Sequence, residues 1–92
     1  ELTTVPLVFE ENALELNVQT GVAGHVLVEL LRNGQPVPGY SADDADPIKG
    51  NFIEKTVTWN GQSDVSSLTG QPVQVRFVMR DAKLYAFQFR MS

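Results

Sequence analysis

Apolar and polar residues alternate with a period of two along most of this chain, and this alternation predicts β-strands. The alternation is clearest in residues 14–18, 25–32, 73–79 and 85–91. Residues 25–32 carry apolar side chains on both faces, which is typical of a central strand that is covered on each side. No segment predicts a helix longer than about two turns. The pattern therefore predicts an all-β domain.

Turn-forming residues separate the predicted strands. Asn33-Gly34 predicts a two-residue hairpin, because both residues tolerate positive φ. Residues 81–83 are interpreted as a tight connection, after which the last two strands pair as a hairpin. Residues 65–68 predict a single helical turn that Ser63 or Asp64 caps. About seven or eight short strands with such turns predict an antiparallel β-sandwich, jelly-roll-like or alternatively immunoglobulin-like.

Residues 38–60 form a long acidic connection that holds the first candidate site. Asp43, Asp44 and Asp46 offer carboxylate oxygens of the kind that Ca²⁺ prefers. Their spacing lacks the glycine and the bidentate acid of a complete EF-hand loop, and the alternative is that they cap turns and keep the loop soluble. Pro47 holds the preceding Asp46 extended, so an inward hydrogen-bond acceptor is a second interpretation for Asp46.

Aromatic side chains beside this connection indicate a second kind of site. Sugars are held by stacking on aromatic rings while polar groups fix their orientation. Because two aromatic residues flank the connection in irregular sequence, the predicted carbohydrate-binding residues are Tyr40, Phe52, Asp43 and Asp44. The alternative is that these rings pack in the core, where aromatic side chains are common.

The other aromatic side chains are expected in the core. Trp59 shares a strand face with Ile53 and Val57, which predicts that all three are buried. Tyr85 alternates in register with the last phenylalanines of the chain. We therefore expect the Tyr85 ring in the core and its hydroxyl bonded to a partner.

Composition and charge exclude several classes of function. With 92 residues, the chain forms one domain. Its net charge of -4 argues against nucleic acid and anionic membrane surfaces, since both attract basic patches. The absence of cysteine excludes disulfides and cysteine zinc sites, and no apolar run has the length of a membrane helix. A single His25 without a G-x-S-x-G motif gives no support for catalysis, so we expect no enzyme.

Five segments together resemble a known module. They are residues 24–30 (GHVLVEL), 39–48 (GYSADDADPI), 57–59 (VTW), 64–79 (DVSSLTGQPVQVRFVM) and 84–89 (LYAFQF). This pattern resembles the C-terminal β-sandwich accessory module of large secreted bacterial glycoside hydrolases and hydrolase-like proteins, a module similar to carbohydrate-binding modules. The resemblance is specific for the module and assigns no binding residue.

The resemblance implies a non-catalytic accessory module of a secreted bacterial polysaccharide-acting enzyme, one that binds carbohydrate. Its implied partners are a polysaccharide or oligosaccharide and a catalytic domain of the same chain. The alternative is a purely structural domain that packs against this neighbour through a surface containing Leu27 and Leu31 and binds no glycan. Since the chain begins at Glu1 without a methionine or a signal-like segment, we interpret residues 1–92 as a single module excised from a larger protein.

Overall fold

The computed structural model describes residues 1–92 and consists of antiparallel strands and one short helical turn. The elements are β1 Leu2–Thr3, β2 Ala13–Arg32, β3 Gln35–Pro36, β4 Asn51–Thr56, the 3-10 helix Ser66–Leu68 and β5 Gln74–Arg90. The predictions of an all-β, antiparallel domain and of a single helical turn are confirmed. The five strands belong to one sheet. The hydrogen bonding therefore does not show the expected sandwich of seven or eight strands.

Two long strands organise the sheet. β2 has 20 residues and β5 has 17, and they pair antiparallel from Ala13 opposite Arg90 to Leu31 opposite Gln74. β1 pairs with the free edge of β5, and β3 and β4 pair with separate parts of the other edge of β2. Asn33 and Gly34 form the predicted tight turn between β2 and β3, with φ values of 54° and 75°.

A glycine-lined bend joins the two halves of the long ladder. The pairing passes from Thr20 opposite Ala82 to His25 opposite Arg80, so residues 21–24 lie opposite Asp81 alone. A side chain at Gly24 would begin 2.2 Å from the carbonyl oxygen of Asp81, which explains why the two backbones approach closely only with glycine there. The ladder bends at this point and continues beyond it.

This bend corrects the prediction for residues 81–83. We expected a tight connection there between two strands that pair with each other, but β5 continues through these residues and pairs with β2 on both sides. Asp81 has the φ of 45° expected of a turn residue, and the glycines opposite it absorb the distortion within the ladder. Two predicted strands are therefore one.

The core lies between the sheet and the irregular segments that cover one of its faces. Alternate residues of β2 from both sides of the bend, such as Leu16 and Val28, belong to one cluster of 17 buried side chains. Trp59, Val65 and Leu68 enter the same cluster from the segments that follow β4. The prediction that Trp59 is buried is confirmed, with 1% of its surface exposed.

Two side chains that we expected in the core point to solvent instead. Ile53 is 80% exposed and Tyr85 is 58% exposed. In both strands the pairing with β2 shifts next to these residues, between Leu16 and Val18 for β4 and between Asn17 and Val18 for β5. An extra residue in a strand reverses the alternation of faces, so a strict period of two assigns the wrong side beyond it.

The structure contains no helix with the length and apolar character needed to cross a membrane.

We predict that Gly24→Ala lowers the free energy of unfolding by roughly 1–3 kcal/mol, the usual cost of forcing extra atoms into a packed site. The clash is with backbone atoms of Arg80 and Asp81, which cannot move aside as a flexible side chain can. Urea unfolding followed by tryptophan fluorescence measures the change. Val22→Ala, at a fully exposed neighbouring position, is the matched control and is expected to change stability by less than about 0.5 kcal/mol. Equal stability of Gly24→Ala and the parent would contradict this account of the bend.

Candidate functional site

Asp46 holds the acidic connection against the turn that follows Trp59. Its Oδ2 accepts hydrogen bonds from the Thr58 hydroxyl at 2.6 Å and from the Gly61 backbone N–H at 2.8 Å. These two donors, Thr58 first, hold the pKa of Asp46 below its ordinary value because they favour the ionised carboxylate. The interpretation of Asp46 as an inward hydrogen-bond acceptor is confirmed.

Asp44 makes a similar set of local contacts. Its Oδ2 accepts from the Ser41 hydroxyl at 2.8 Å, and its Oδ1 accepts from the Asn60 side chain at 3.3 Å. The bonds from Ser41 are the main reason that the pKa of Asp44 lies below its ordinary value. Asp44 therefore ties the start of the connection to the Asn60-Gly61 turn.

The structure does not assemble the three carboxylates that we predicted as calcium ligands. Asp44 and Asp46 face different hydrogen-bond donors, and Asp43 is exposed. No group of three or more His, Cys, Asp or Glu side chains in the chain is arranged to hold a metal ion. What the geometry supports is the alternative interpretation, in which the acidic residues fix turns.

Tyr40, the first predicted sugar-stacking residue, packs against the core. Its ring is half-buried and meets the Trp59 ring edge-on, with 5.2 Å between the ring centroids. Its hydroxyl donates to the backbone carbonyl of Asp64 at 2.8 Å. Tyr40 thus joins the acidic connection to the segment before the 3-10 helix, and its ring offers no open face comparable with that of Tyr85.

Phe52, the second predicted stacking residue, also packs inward. It is half-buried against the core, and the Lys55 ammonium group lies 4.9 Å from its ring centroid. The shift in pairing between β2 and β4 places Phe52 inward and leaves Ile53 outward. The structure therefore brings neither Phe52 nor Tyr40 into an open site together with Asp43 and Asp44.

Two buried groups attach the connection to β2. The indole Nε1 of Trp59 donates to the Val28 carbonyl at 2.8 Å. Glu29, only 6% exposed, accepts from the Ala42 backbone N–H at 2.9 Å and from the Arg76 guanidinium at 2.9 Å. The sequence pattern did not indicate Glu29 because a single acid in an apolar run resembles a solvent-facing residue.

The structure points instead to an open groove on the outer face of the sheet. We call it the sheet-face groove; it has a volume of about 220 Å³ and is lined by Glu15, Leu16, Asn17, Ile53, Glu54, Ala86, Phe87 and Gln88. These residues come from the first part of β2, from β4 and from the last part of β5. Glu15 and Asn17 of the lining alternate along β2 with the buried Leu14, Leu16 and Val18, so the side chains of Glu15 and Asn17 lie on the face opposite the core.

Tyr85 lies on the same outer face and is held in place. Its hydroxyl donates to the Gln19 side-chain oxygen at 3.0 Å, and Gln19 shares its side of β2 with Asn17 and Glu15. The ring is 58% exposed, and its neighbour Ala86 lines the groove. An exposed ring beside amide side chains offers a stacking face together with hydrogen-bonding groups.

The charged groups at the groove are one arginine and two glutamates, which leave a net negative charge. Arg90 lies 3.2 Å from Glu15 and 3.3 Å from Glu54, so one cation pairs with two carboxylates. The remaining polar lining consists of the neutral amides of Asn17 and Gln88. This lining disfavours an anionic ligand and offers amide donors and acceptors to hydroxyl groups.

Sequence reasoning missed this surface because it assigned Ile53 and Tyr85 to the core. Only one signal in the sequence points to it: Glu15, Asn17 and Gln19 alternate with apolar residues and define a polar face of β2. That signal does not indicate which residues of β4 and β5 share the face, because both strands carry an irregularity at that point.

No family model, curated protein or solved structure matches this chain.

We predict that the protein loses stability in acid. The pKa values of Asp44, Asp46 and Asp64 all lie below the ordinary value, the last through its bonds with Ser66. The unfolded state then takes up protons at a higher pH than the folded state, so the stabilisation is complete at neutral pH and is lost as the pH falls. The melting temperature is expected to be flat at mildly acidic pH and to fall below about pH 4.

Two substitutions separate this effect from general acid denaturation. Asp46→Asn removes one of the titrating groups, so it is expected to show a smaller decrease in melting temperature between neutral pH and acid than the parent. Asp43→Asn, at an exposed carboxylate, is the matched control and is expected to keep the decrease of the parent. An identical decrease for Asp46→Asn and the parent would show that the Thr58 and Gly61 hydrogen bonds do not act in this way.

Proposed function

We propose that this chain is a non-catalytic accessory module of a secreted bacterial polysaccharide-acting enzyme and that it binds neutral carbohydrate at the sheet-face groove. The observation that carries the proposal is the exposed ring of Tyr85, held by a hydrogen bond, on the same face as a groove whose lining includes the amides of Asn17 and Gln88. The resemblance of five sequence segments to such a module supports the same class of protein.

The chemistry of the groove favours a sugar in three ways. The exposed Tyr85 ring gives an apolar face for the C–H groups of a pyranose, and Ile53 is a second exposed apolar side chain, in the lining of the groove. Asn17 and Gln88 provide both donors and acceptors for hydroxyl groups. Because Gln19 already restrains the Tyr85 hydroxyl, less side-chain freedom is lost when a ligand binds.

The mechanism we propose is retention on a polymer. The groove is open and smaller than the enclosed pockets that hold small ligands tightly, so each contact is expected to be weak. A weak module tethered to a catalytic domain still raises the local concentration of that domain at the polymer surface. Weak binding is therefore consistent with an accessory function.

We also propose that the fold is related to a jelly-roll-like β-sandwich. Isolated bridges pair Ala45 with Trp59, Trp59 with Gln62 and Ile48 with Val26. The first two lie in the layer that covers the core opposite the sheet, the place that a second sheet occupies in a jelly roll.

A second candidate is a purely structural domain whose outer face packs against a catalytic neighbour. The exposure of Ile53 and Tyr85 on one face favours it, because a protein partner also covers apolar side chains. The surface would differ from the one expected from the sequence: Leu31 is only 2% exposed and so offers a neighbour almost no contact area.

Retention on a panel of immobilised neutral polysaccharides tests the proposal. We expect the domain to be retarded by at least one polymer, and we expect Tyr85→Ala to weaken the affinity about tenfold or more, as loss of a central aromatic contact does. Asn17→Ala is expected to weaken it less, because one hydrogen-bonding group is lost and the ring remains.

Matched controls place the contact on the outer face. Val22→Ala removes an exposed apolar side chain at the bend, and Asp43→Asn alters an exposed acid of the acidic connection. Both are expected to bind like the parent. Absence of retention on every polymer, or loss of binding with Asp43→Asn but not with Tyr85→Ala, would contradict the proposal.

A further inference from the structure

The chain contains two Asn-Gly pairs in turns of the same type. Asn33 and Gly34 have φ values of 54° and 75°, and Asn60 and Gly61 have values of 50° and 80°. Both turns have the positive φ values of a type I′ hairpin turn, and both asparagines are exposed. No atom lies within 4 Å of the position where a side chain would begin on either glycine, so steric crowding is the same in the two turns.

An asparagine followed by glycine is chemically labile. The backbone nitrogen of the glycine attacks the side-chain Cγ of the asparagine, an N–Cγ bond forms, and the Cγ–Nδ2 bond breaks. The side-chain nitrogen leaves as ammonia and takes the proton of the glycine N–H. Water then opens the succinimide ring at one of its two carbonyl groups and gives aspartate or isoaspartate. The reaction requires a free glycine N–H and an asparagine side chain that can swing towards it.

Hydrogen bonds restrain both groups in the second turn. The Gly61 N–H donates to Asp46 Oδ2 at 2.8 Å, and the Asn60 side-chain amide donates to Asp44 Oδ1 at 3.3 Å. The Asn60 backbone N–H also donates to the Asp44 carbonyl at 2.9 Å. Attack of Gly61 on Asn60 therefore requires the bond of the Gly61 N–H and the bond of the Asn60 side chain to break first.

The first turn has no such restraint. No backbone hydrogen bond of the protein uses the Gly34 N–H. The side chain of Asn33 is exposed in the turn between β2 and β3. Both reacting groups are free to meet during ordinary motion of the turn.

We propose that Asn33 is a site of spontaneous deamidation in this protein and that Asp44 and Asp46 protect Asn60 from the same reaction. The product at Asn33 carries a new carboxylate beside Arg32. Its isoaspartate form adds one backbone methylene to the turn that sets the pairing of Arg32 with Gln35 and of Leu31 with Pro36. An enzyme that methylates isoaspartyl carboxylates is the class of protein that would recognise this product.

Peptide mass spectrometry after prolonged incubation at mildly alkaline pH tests the proposal. In the folded protein we expect Asn33 to convert about tenfold faster than Asn60, the ratio that roughly two ordinary protecting hydrogen bonds give. In concentrated urea the two asparagines lose their different surroundings, and the ratio is expected to fall towards one.

Asp44→Ala together with Asp46→Ala removes the protecting carboxylates, with circular dichroism as the check that the variant folds. Conversion of Asn60 is expected to accelerate in this variant while conversion of Asn33 stays unchanged. The urea comparison decides the matter on the parent protein if the variant does not fold. A ratio in the folded parent that equals the ratio in urea, or faster conversion of Asn60 than of Asn33, would overturn the proposal.

Discussion

The pairing of β2 with β5 extends along nearly the whole of both strands, and every other strand hydrogen-bonds to one of these two. Its two halves face a single core because the ladder bends between Gly21 and Gly24 and its antiparallel pairing resumes at His25. A side chain at either glycine would collide with Asp81 or the residue before it. The close approach of backbone at this bend is therefore the constraint from which the shape of the sheet follows.

The rest of the chain is attached to this ladder by a small number of polar contacts. Trp59 bonds to the Val28 carbonyl, and Glu29 bonds to the Ala42 backbone, so the acidic connection lies against β2 from two directions. Asp44 and Asp46 then fix the turn at Asn60-Gly61. The acidic connection thus stabilises the fold through these contacts. The open groove lies elsewhere, on the outer face of the sheet.

The alternation of residues was sufficient to predict an all-β, antiparallel domain and the burial of Trp59, and the Asn-Gly pair predicted the turn at Asn33-Gly34. It was insufficient for Ile53 and Tyr85, because a bulge changes the face of a residue and leaves no mark on composition. Gly21, Gly24 and Asp81 are equally typical of a loop and of a bend, and only the pairing of distant residues distinguishes the two. Tyr40 and Phe52 were predicted as site residues because they flank the acidic connection in irregular sequence. The groove depends instead on three strands that meet only in the folded sheet.

We propose that a ligand contacts the outer face of the sheet and not the acidic connection. Backbone nitrogen–proton correlation spectra, recorded while a neutral oligosaccharide from the retained polymer is added, test it most directly. We expect the amide signals of Asn17, Tyr85 and Gln88 to shift with the concentration of the oligosaccharide, while the signals of residues 40–46 stay unchanged. Shifts confined to residues 40–46, or an unchanged spectrum with every oligosaccharide, would contradict it.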